Sequence, residues 1–183
     1  MSLLESSMVA LGSPCPDFAL RGVDGKIWHR DDFPSPGLLI VVMCNHCPYV
    51  QAVDGRINKL AKEFKGRCEV VGINANDAEA YPEDDFESMR SRTQEQGFVF
   101  PYLRDESQAT VKALGAVCTP DFFLFDGTRK LRYRGRLDDN WKDESRATHQ
   151  ELRLAIEALL SGQPIPEPQR PSMGCSIKWK QNP

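Results

Sequence analysis

The sequence predicts an α/β fold with a mixed central β-sheet flanked by helices, and three observations carry that expectation. The run Leu38-Leu39-Ile40-Val41-Val42-Met43 has no polar alternation, which suits a central strand buried on both faces. Apolar residues at Val50, Val53, Ile57, Leu60, Ala61 and Phe64 then recur at helical spacing, and a second buried strand follows at Glu69–Ile73. Downstream, Phe122–Phe125 and Leu131–Leu137 flank an Asp126-Gly127 turn as a hairpin, and a helix closes the chain. Strand–helix–strand units followed by a hairpin and a helix make a layered α/β domain.

Taken in order, Phe18–Leu20, the Asp24-Gly25 turn and Ile27-Trp28 form an N-terminal hairpin, and Pro34, Pro36 and Gly37 mark a loop. The first helix covers Tyr49–Phe64, with Gly66 as its stop. Cys68 stands at the start of the second buried strand, and Asn74–Asp77 ends that strand. The acidic stretch from there to Glu87 carries few apolar residues and reads as a solvated loop and helix start. A helix spans Asp84–Gln96 before Gly97, Tyr102-Leu103 is a short strand, and Gln108–Leu114 is a short helix. The last helix, Thr148–Leu160, places Leu152, Ile156, Leu159 and Leu160 on one face. One domain over 1–183 is expected, with its core at about 12–162 and the Pro-rich tail 163–183 packed back on it.

Composition narrows the function. With 183 residues, 40% hydrophobic and 27% charged, the chain has the balance of an ordinary soluble domain. A net charge of −3 gives no footprint for nucleic acid. The basic alternation Arg129-Lys130, Arg132, Arg134, Arg136 reads as one solvated strand face. No apolar run approaches the roughly 20 residues of a membrane span. Met1–Leu11 has no basic segment, and Glu5 interrupts it, so a secretory signal is not expected. Cytoplasmic residence follows as the expectation, and six cysteines there argue against a structural disulfide framework. Cys68 fits a buried inert thiol, and Cys15 lies in an irregular Pro-flanked segment without an assigned role.

The chemistry centres on Cys44-Asn45-His46-Cys47, between the buried strand and the first helix. Two thiols separated by two residues can close a small disulfide. A cysteine at a helix N-terminus gains thiolate character, and the thiolate is what attacks disulfides. Cys44 is the expected nucleophile, more exposed and facing the helix-start N–H groups, with Cys47 the resolving thiol one turn inside. His46 is expected to tune the Cys44 thiolate, Asn45 lies beside it, and Pro48 shapes the first helical turn where its missing N–H costs little.

With the dithiol at that junction, the chain resembles thioredoxin-fold proteins. Cys118-Thr119-Pro120-Asp121 resembles the Thr-Pro segment that carries that fold's cis-proline, and Gly12–Phe18 and Phe100–Glu106 resemble peroxiredoxin-like (AhpC/TSA-like) proteins. The match is to the branch that keeps a thioredoxin-style CxxC and ends in Gly-Cys-x-Ile-Lys-Trp, here Gly174–Trp179. The resemblance implies a thioredoxin-like fold, a cis Pro120 beside the dithiol and a Thr119 backbone available to a substrate. Departures are specific. Val41 and Gly37 stand where peroxiredoxins place the Thr and Pro before the peroxidatic cysteine, which weighs against peroxide reduction. Leu38 replaces the buried Asp of thioredoxins and Met43 their Trp, so a base for Cys47 is lacking.

The expected activity is thiol–disulfide exchange on protein or small-molecule disulfides and thiols, without a cofactor or metal. Cys118 and Cys175 are candidates for one additional redox thiol. The alternatives are a thiol peroxidase using Cys44, a metal site built from Cys44 and Cys47 with Cys118 and Cys175, and a non-catalytic redox-sensing module. In the metal alternative, His46 is not expected to share an ion with the cysteines that flank it.

Overall fold

The computed structural model describes residues 3–181. Its main sheet has seven strands in the order β3-β2-β6-β5-β4-β8-β9. These are β2 (Ala19–Gly22), β3 (Ile27–His29), β4 (Gly37–Val42), β5 (Cys68–Asn74), β6 (Tyr102–Arg104), β8 (Asp121–Phe125) and β9 (Leu131–Gly135). β4 lies at the centre, parallel to β5 from Gly37↔Cys68 to Val42↔Ile73 and antiparallel to β8. Every residue of β4 is buried, which is why its sequence shows no alternation.

The two faces of β4 serve two cores. Leu39, Val41 and Met43 pack with Val50, Ile57, Leu152 and Ile156, on the side of α1 (Pro48–Gln51), α2 (Asp54–Glu63) and α5 (Glu151–Leu160). Leu38, Ile40 and Val42 pack with Phe18, Val111, Leu114, Phe123 and Phe125, on the side of α4 (Ala109–Leu114). At about 25 cal/mol per Å² of apolar area buried, these two layers supply the main drive for folding. The remaining helix, α3 (Phe86–Gln96), starts at Asp85, whose side chain accepts from Ser88 N, and stops at Gly97 with φ +61°.

The helix expected over Tyr49–Phe64 is interrupted between α1 and α2. The Arg56 guanidinium donates to the Ala52 carbonyl, and the Arg56 backbone N–H bonds Val53 O instead. The side chain thus takes a carbonyl that a continuous helix would use. Arg56 also donates to Asp138 and to the Asn140 and Trp141 carbonyls, which anchors the break to the loop after β9.

A second sheet was not legible beforehand. β1 (Leu3–Glu5), β10 (Met173–Ser176) and β7 (Cys118–Thr119) form three antiparallel strands in the order β1-β10-β7. Register pairs are Leu3↔Cys175, Cys175↔Thr119 and Ser176↔Cys118. The tail is therefore hydrogen-bonded directly to the Thr-Pro segment. Ile177 is buried behind it, and Trp179 packs against the second core.

The basic alternation is a solvated face in part: Lys130 and Arg132 are exposed, while Arg134 and Arg136 are half-buried. Arg132 bonds Asp126, Arg134 bonds Gln169 and the Val9 carbonyl, and Arg136 bonds Glu151, so these cations serve the fold.

Candidate functional site

β4 delivers Cys44 just past its C-terminal end, and residues 44–47 bend into α1. Cys47, not Cys44, occupies the N-cap of α1, with Pro48 at the first helical position. That arrangement suits proline, because the first helical N–H has no intrahelical acceptor. The expected difference in exposure is absent: Cys44 is 1% and Cys47 0% exposed.

The Thr119–Pro120 bond is cis, and Thr119 faces the dithiol. Its Oγ1 lies 3.4 Å from Cys44 Sγ, and its carbonyl oxygen lies 3.2 Å from Cys47 Sγ. Strand geometry sends neighbouring side chains to opposite faces, so Cys118 turns away from the pair. Cys118 is fully buried, and burial holds its thiol far above the ordinary range. Cys175 is on the other side of Thr119's pairing edge, with its Sγ 2.9 Å from Cys47 Sγ. Of the two candidate additional thiols, the fold brings Cys175 to the dithiol. The Thr119 backbone, expected to be available to substrate, is taken by β10.

A buried carboxylate is present, from a segment that read as solvated. Asp84 has no exposed surface and ends a one-turn helix at Pro82–Asp84. It accepts from Asn45 N at 2.6 Å, Asn74 Nδ2 at 3.2 Å and Asn76 Nδ2 at 2.7 Å. His46 Nδ1 lies 2.5 Å from its other face, and the imidazole stacks on Tyr81 with a 5° interplanar angle. Asn45 is the latch of this network. Its side chain donates to Glu83 O and accepts from Tyr102 OH, while its carbonyl accepts from Gln51. The N–H after Cys44 therefore points to Asp84 and not to the Cys44 sulfur.

These contacts set the protonation. The hydrogen bond to Cys47 raises the Cys44 pKa, and burial and the Asp84 charge push it further up; Thr119 opposes them. Cys47 is brought down to about 4, chiefly by the bond from Cys44 and against the cost of burial. Cys175, the Val50 N–H and Thr119 add to the lowering. The two thiols thus titrate as one pair, the bond between them raising Cys44 and lowering Cys47. Burial works against the Asp84 charge, but His46, Asn76 and Asn45 N–H together hold its carboxyl below the ordinary range. The bond to Asp84 raises His46. An imidazolium–carboxylate pair results, and it stands beside the Cys44 sulfur.

A metal set is also conceivable by position. Donor atoms of Cys44, His46 and Asp84 lie within 4.8 Å of one another, so His46 does converge with a cysteine that flanks it, contrary to expectation. The Asp84 oxygens already take three N–H bonds besides the imidazole, which a metal ion would have to disrupt.

The AhpC/TSA family model matches residues 11–134, which includes the dithiol and the Thr-Pro segment. The chain belongs to the AhpC/TSA family. Thiol:disulfide interchange protein DsbE of Yersinia pestis is 30% identical to this AhpC/TSA-family chain over 152 residues, covering 78% of the chain and 73% of that protein. The thiol-disulfide oxidoreductase ResA of Geobacillus thermodenitrificans is 25% identical over 129 residues, 70% of each. A crystal structure of an uncharacterized conserved protein from Geobacillus kaustophilus superposes with a TM-score of 0.95 and 46% identity, covering 100% of this chain and 99% of that one. The fold of this family member is thioredoxin-like, as superposition on a solved thiol:disulfide interchange protein of the thioredoxin family from Chlorobium tepidum shows, with a TM-score of 0.57 and 18% identity, covering 69% of this chain and 86% of that one.

Sequence reasoning missed Asp84, and although it expected the tail to pack back and named Cys175 a candidate redox thiol, it missed the strand that seats Cys175. Asp84 carries a local signal only in hindsight: Pro82 and the asparagines Asn74 and Asn76 surround it with turn-formers and amide donors. Nothing local in Met173–Ser176 marks it as a strand.

Proposed function

We propose that Cys44 and Cys47 are the redox pair through which this chain works as a thiol–disulfide oxidoreductase on protein or small-molecule disulfides. The observation that carries the reading is geometric: both sulfurs lie against the residue before a cis-proline, with Thr119 Oγ1 3.4 Å from Cys44 Sγ and the Thr119 carbonyl oxygen 3.2 Å from Cys47 Sγ.

In this mechanism Cys44 meets the substrate, because Cys47 is wedged between the Thr119 carbonyl and Cys175 Sγ. Cys44 reacts as its thiolate, with the proton of the pair on Cys47, whose thiol can donate to the Thr119 carbonyl. Cys44 sulfur attacks one substrate sulfur, the substrate S–S bond breaks, and the first thiolate leaves. That leaving thiolate takes the proton from Cys47. Cys47 then attacks Cys44 Sγ, forming the Cys44–Cys47 bond and releasing the second substrate thiolate.

Wild-type protein is expected to accelerate dithiothreitol reduction of insulin disulfides, while Cys44→Ser and Cys47→Ser each fall to the uncatalysed rate. Retained activity in Cys44→Ser overturns the assignment.

Peroxide reduction has one favouring observation, the Thr119 hydroxyl 3.4 Å from Cys44 Sγ. The Asp84 carboxylate raises the Cys44 pKa and so disfavours the thiolate that attacks a peroxide. Stopped-flow reaction with hydrogen peroxide is therefore expected to be no faster than that of a simple thiolate; a rate above that restores the peroxidase reading.

A further inference from the structure

The tail strand presents a third thiol to the dithiol at hydrogen-bonding distance. Cys175 Sγ lies 2.9 Å from Cys47 Sγ, shorter than ordinary contact between sulfurs and within about 1 Å of a disulfide bond length of roughly 2.05 Å. The approach is fixed by backbone pairing: Cys175 is in register with Thr119, the residue whose carbonyl and hydroxyl line the dithiol. It is fixed again at Gly174, where a Cβ would lie 1.9 Å from the Thr119 carbonyl oxygen and 3.2 Å from Pro120 N. Only glycine lets β10 close on the Thr-Pro segment this tightly. β1 backs the strand through Leu3↔Cys175 and Leu4↔Gly174, and Ser172 Oγ donates to the Pro120 carbonyl. Cys175 itself is 4% exposed.

A strand paired to the residue before the cis-proline, with a cysteine sulfur against the dithiol, stands where an extended disulfide substrate would stand. Resting on the assignment of Cys44–Cys47 as the redox pair, we infer that Cys175 is a third redox thiol that takes the disulfide from Cys44. Cys175 sulfur attacks Cys47 Sγ of the oxidised pair, the Cys47–Cys175 bond forms, and the Cys44–Cys47 bond breaks. Cys44 leaves as a thiolate and takes up the proton given by Cys175. No outside oxidant is consumed: one disulfide is exchanged for another, and Cys44 is returned as a thiol while the chain stays oxidised.

Proton movements accompany the exchange, and register and sulfur contact position it. In the reduced protein Cys175 is pushed up to about 12, by burial first and then by the hydrogen bond and charge of Cys47. Both Cys47 contributions end once its sulfur enters a disulfide, while the Lys178 ammonium still pulls the Cys175 pKa down. The Asp84 charge raises the Cys44 pKa, which slows its departure as a thiolate and makes it take up the proton once it has left. Cys118 has no part in the exchange, because its side chain points to the opposite face of β7.

The test is rapid oxidation of the purified full chain by one equivalent of diamide. Samples are acid-quenched over time, remaining thiols are alkylated, and non-reducing digests are mapped by tandem mass spectrometry. A Cys44–Cys47 bond is expected to appear first and to decay into a Cys47–Cys175 cross-link with Cys44 alkylated in the same chains. Cys44→Ser is expected to give the Cys47–Cys175 cross-link directly. If wild type stops at Cys44–Cys47 and Cys44→Ser forms no cross-link, the inference fails while the redox pair stands. If neither bond forms, both fail. A Cys47–Cys175 bond that appears with no Cys44–Cys47 precursor also overturns the relay.

Discussion

His46 Nδ1 lies 2.5 Å from the carboxylate of Asp84, a pair formed across 38 residues of sequence and placed beside the Cys44 sulfur. The pair couples the dithiol to pH. His46 is raised above its ordinary 6.5 by the bond to Asp84, so its stabilising effect is complete below that value and is lost as pH rises through the raised pKa. Asp84 is lowered, so its part is complete above its ordinary 3.8 and is lost as pH falls through its depressed pKa. The melting-temperature gap between wild type and His46→Ala is therefore expected to be widest from about pH 4 to 6.5 and to narrow in alkali. A gap that does not vary with pH contradicts the ion pair.

The same substitution reads out the tuning of the dithiol. Removing the imidazolium leaves the Asp84 charge uncompensated next to Cys44, disfavours thiolate and so destabilises the reduced form. The midpoint potential of His46→Ala is expected to fall by about 30 mV, equivalent to about 1.4 kcal/mol for two electrons. A glutathione redox titration checks this, and an unchanged potential removes the tuning role.

Asp84→Asn acts in the opposite sense on Cys44. Without the carboxylate, the Cys44 pKa is expected to fall, and iodoacetamide labelling of Cys44 at neutral pH to quicken. Stability drops by about 1–3 kcal/mol, because three N–H donors lose a charged acceptor. Labelling resolved by mass spectrometry, with urea unfolding alongside, measures both. Slower Cys44 labelling contradicts the assigned charge effect.

Gly174→Ala tests the closeness of the tail. The added methyl meets the Thr119 carbonyl, so β10 must withdraw and carry Cys175 from Cys47. A lower melting temperature is expected, together with more exposure of Cys47 to alkylation. Labelling of Cys47 at the wild-type rate would mean that the tail does not cover it.

Asp121, in β8, is fully buried. Its Oδ1 accepts from Phe122 N, and its Oδ2 has no hydrogen-bond partner among the described residues. Burial, opposed in part by the Phe122 N–H and the Ser6 side chain, raises its pKa well above 3.8, so its cost to the fold is absent below about 3.8, grows as pH rises from there and is complete above the raised value. Asp121→Asn is expected to melt higher than wild type at pH 8, with the gain shrinking towards pH 4. A lower melting temperature at pH 8 contradicts this.

How much was legible follows from the range of the forces involved. β4, β5 and the β8–β9 hairpin were readable because burial on both faces leaves an unbroken apolar run, as in Leu38–Val42. The dithiol was readable as a local pattern, as was a Thr-Pro segment ahead of a hairpin. The interruption between α1 and α2 was not, because the Arg56 side chain that causes it answers to Asp138, a partner 82 residues away. Asp84 was lost in an acidic run because its burial comes from Asn45, His46 and Arg104. The β10 strand was lost for the same reason. Its pairing with β7 joins Cys175 to a dithiol partner 128 residues away, and no local propensity in Met173–Ser176 announces it.

The central claim is that Cys44 takes the substrate and Cys47 resolves it. The direct measurement is trapping with Cys47→Ser against Cys44→Ser, each incubated with oxidised insulin and analysed as intact mass without reductant. The account predicts a stable mixed disulfide on Cys44 in Cys47→Ser and little adduct in Cys44→Ser. Adducts held on Cys47 in Cys44→Ser, with none in Cys47→Ser, would contradict it.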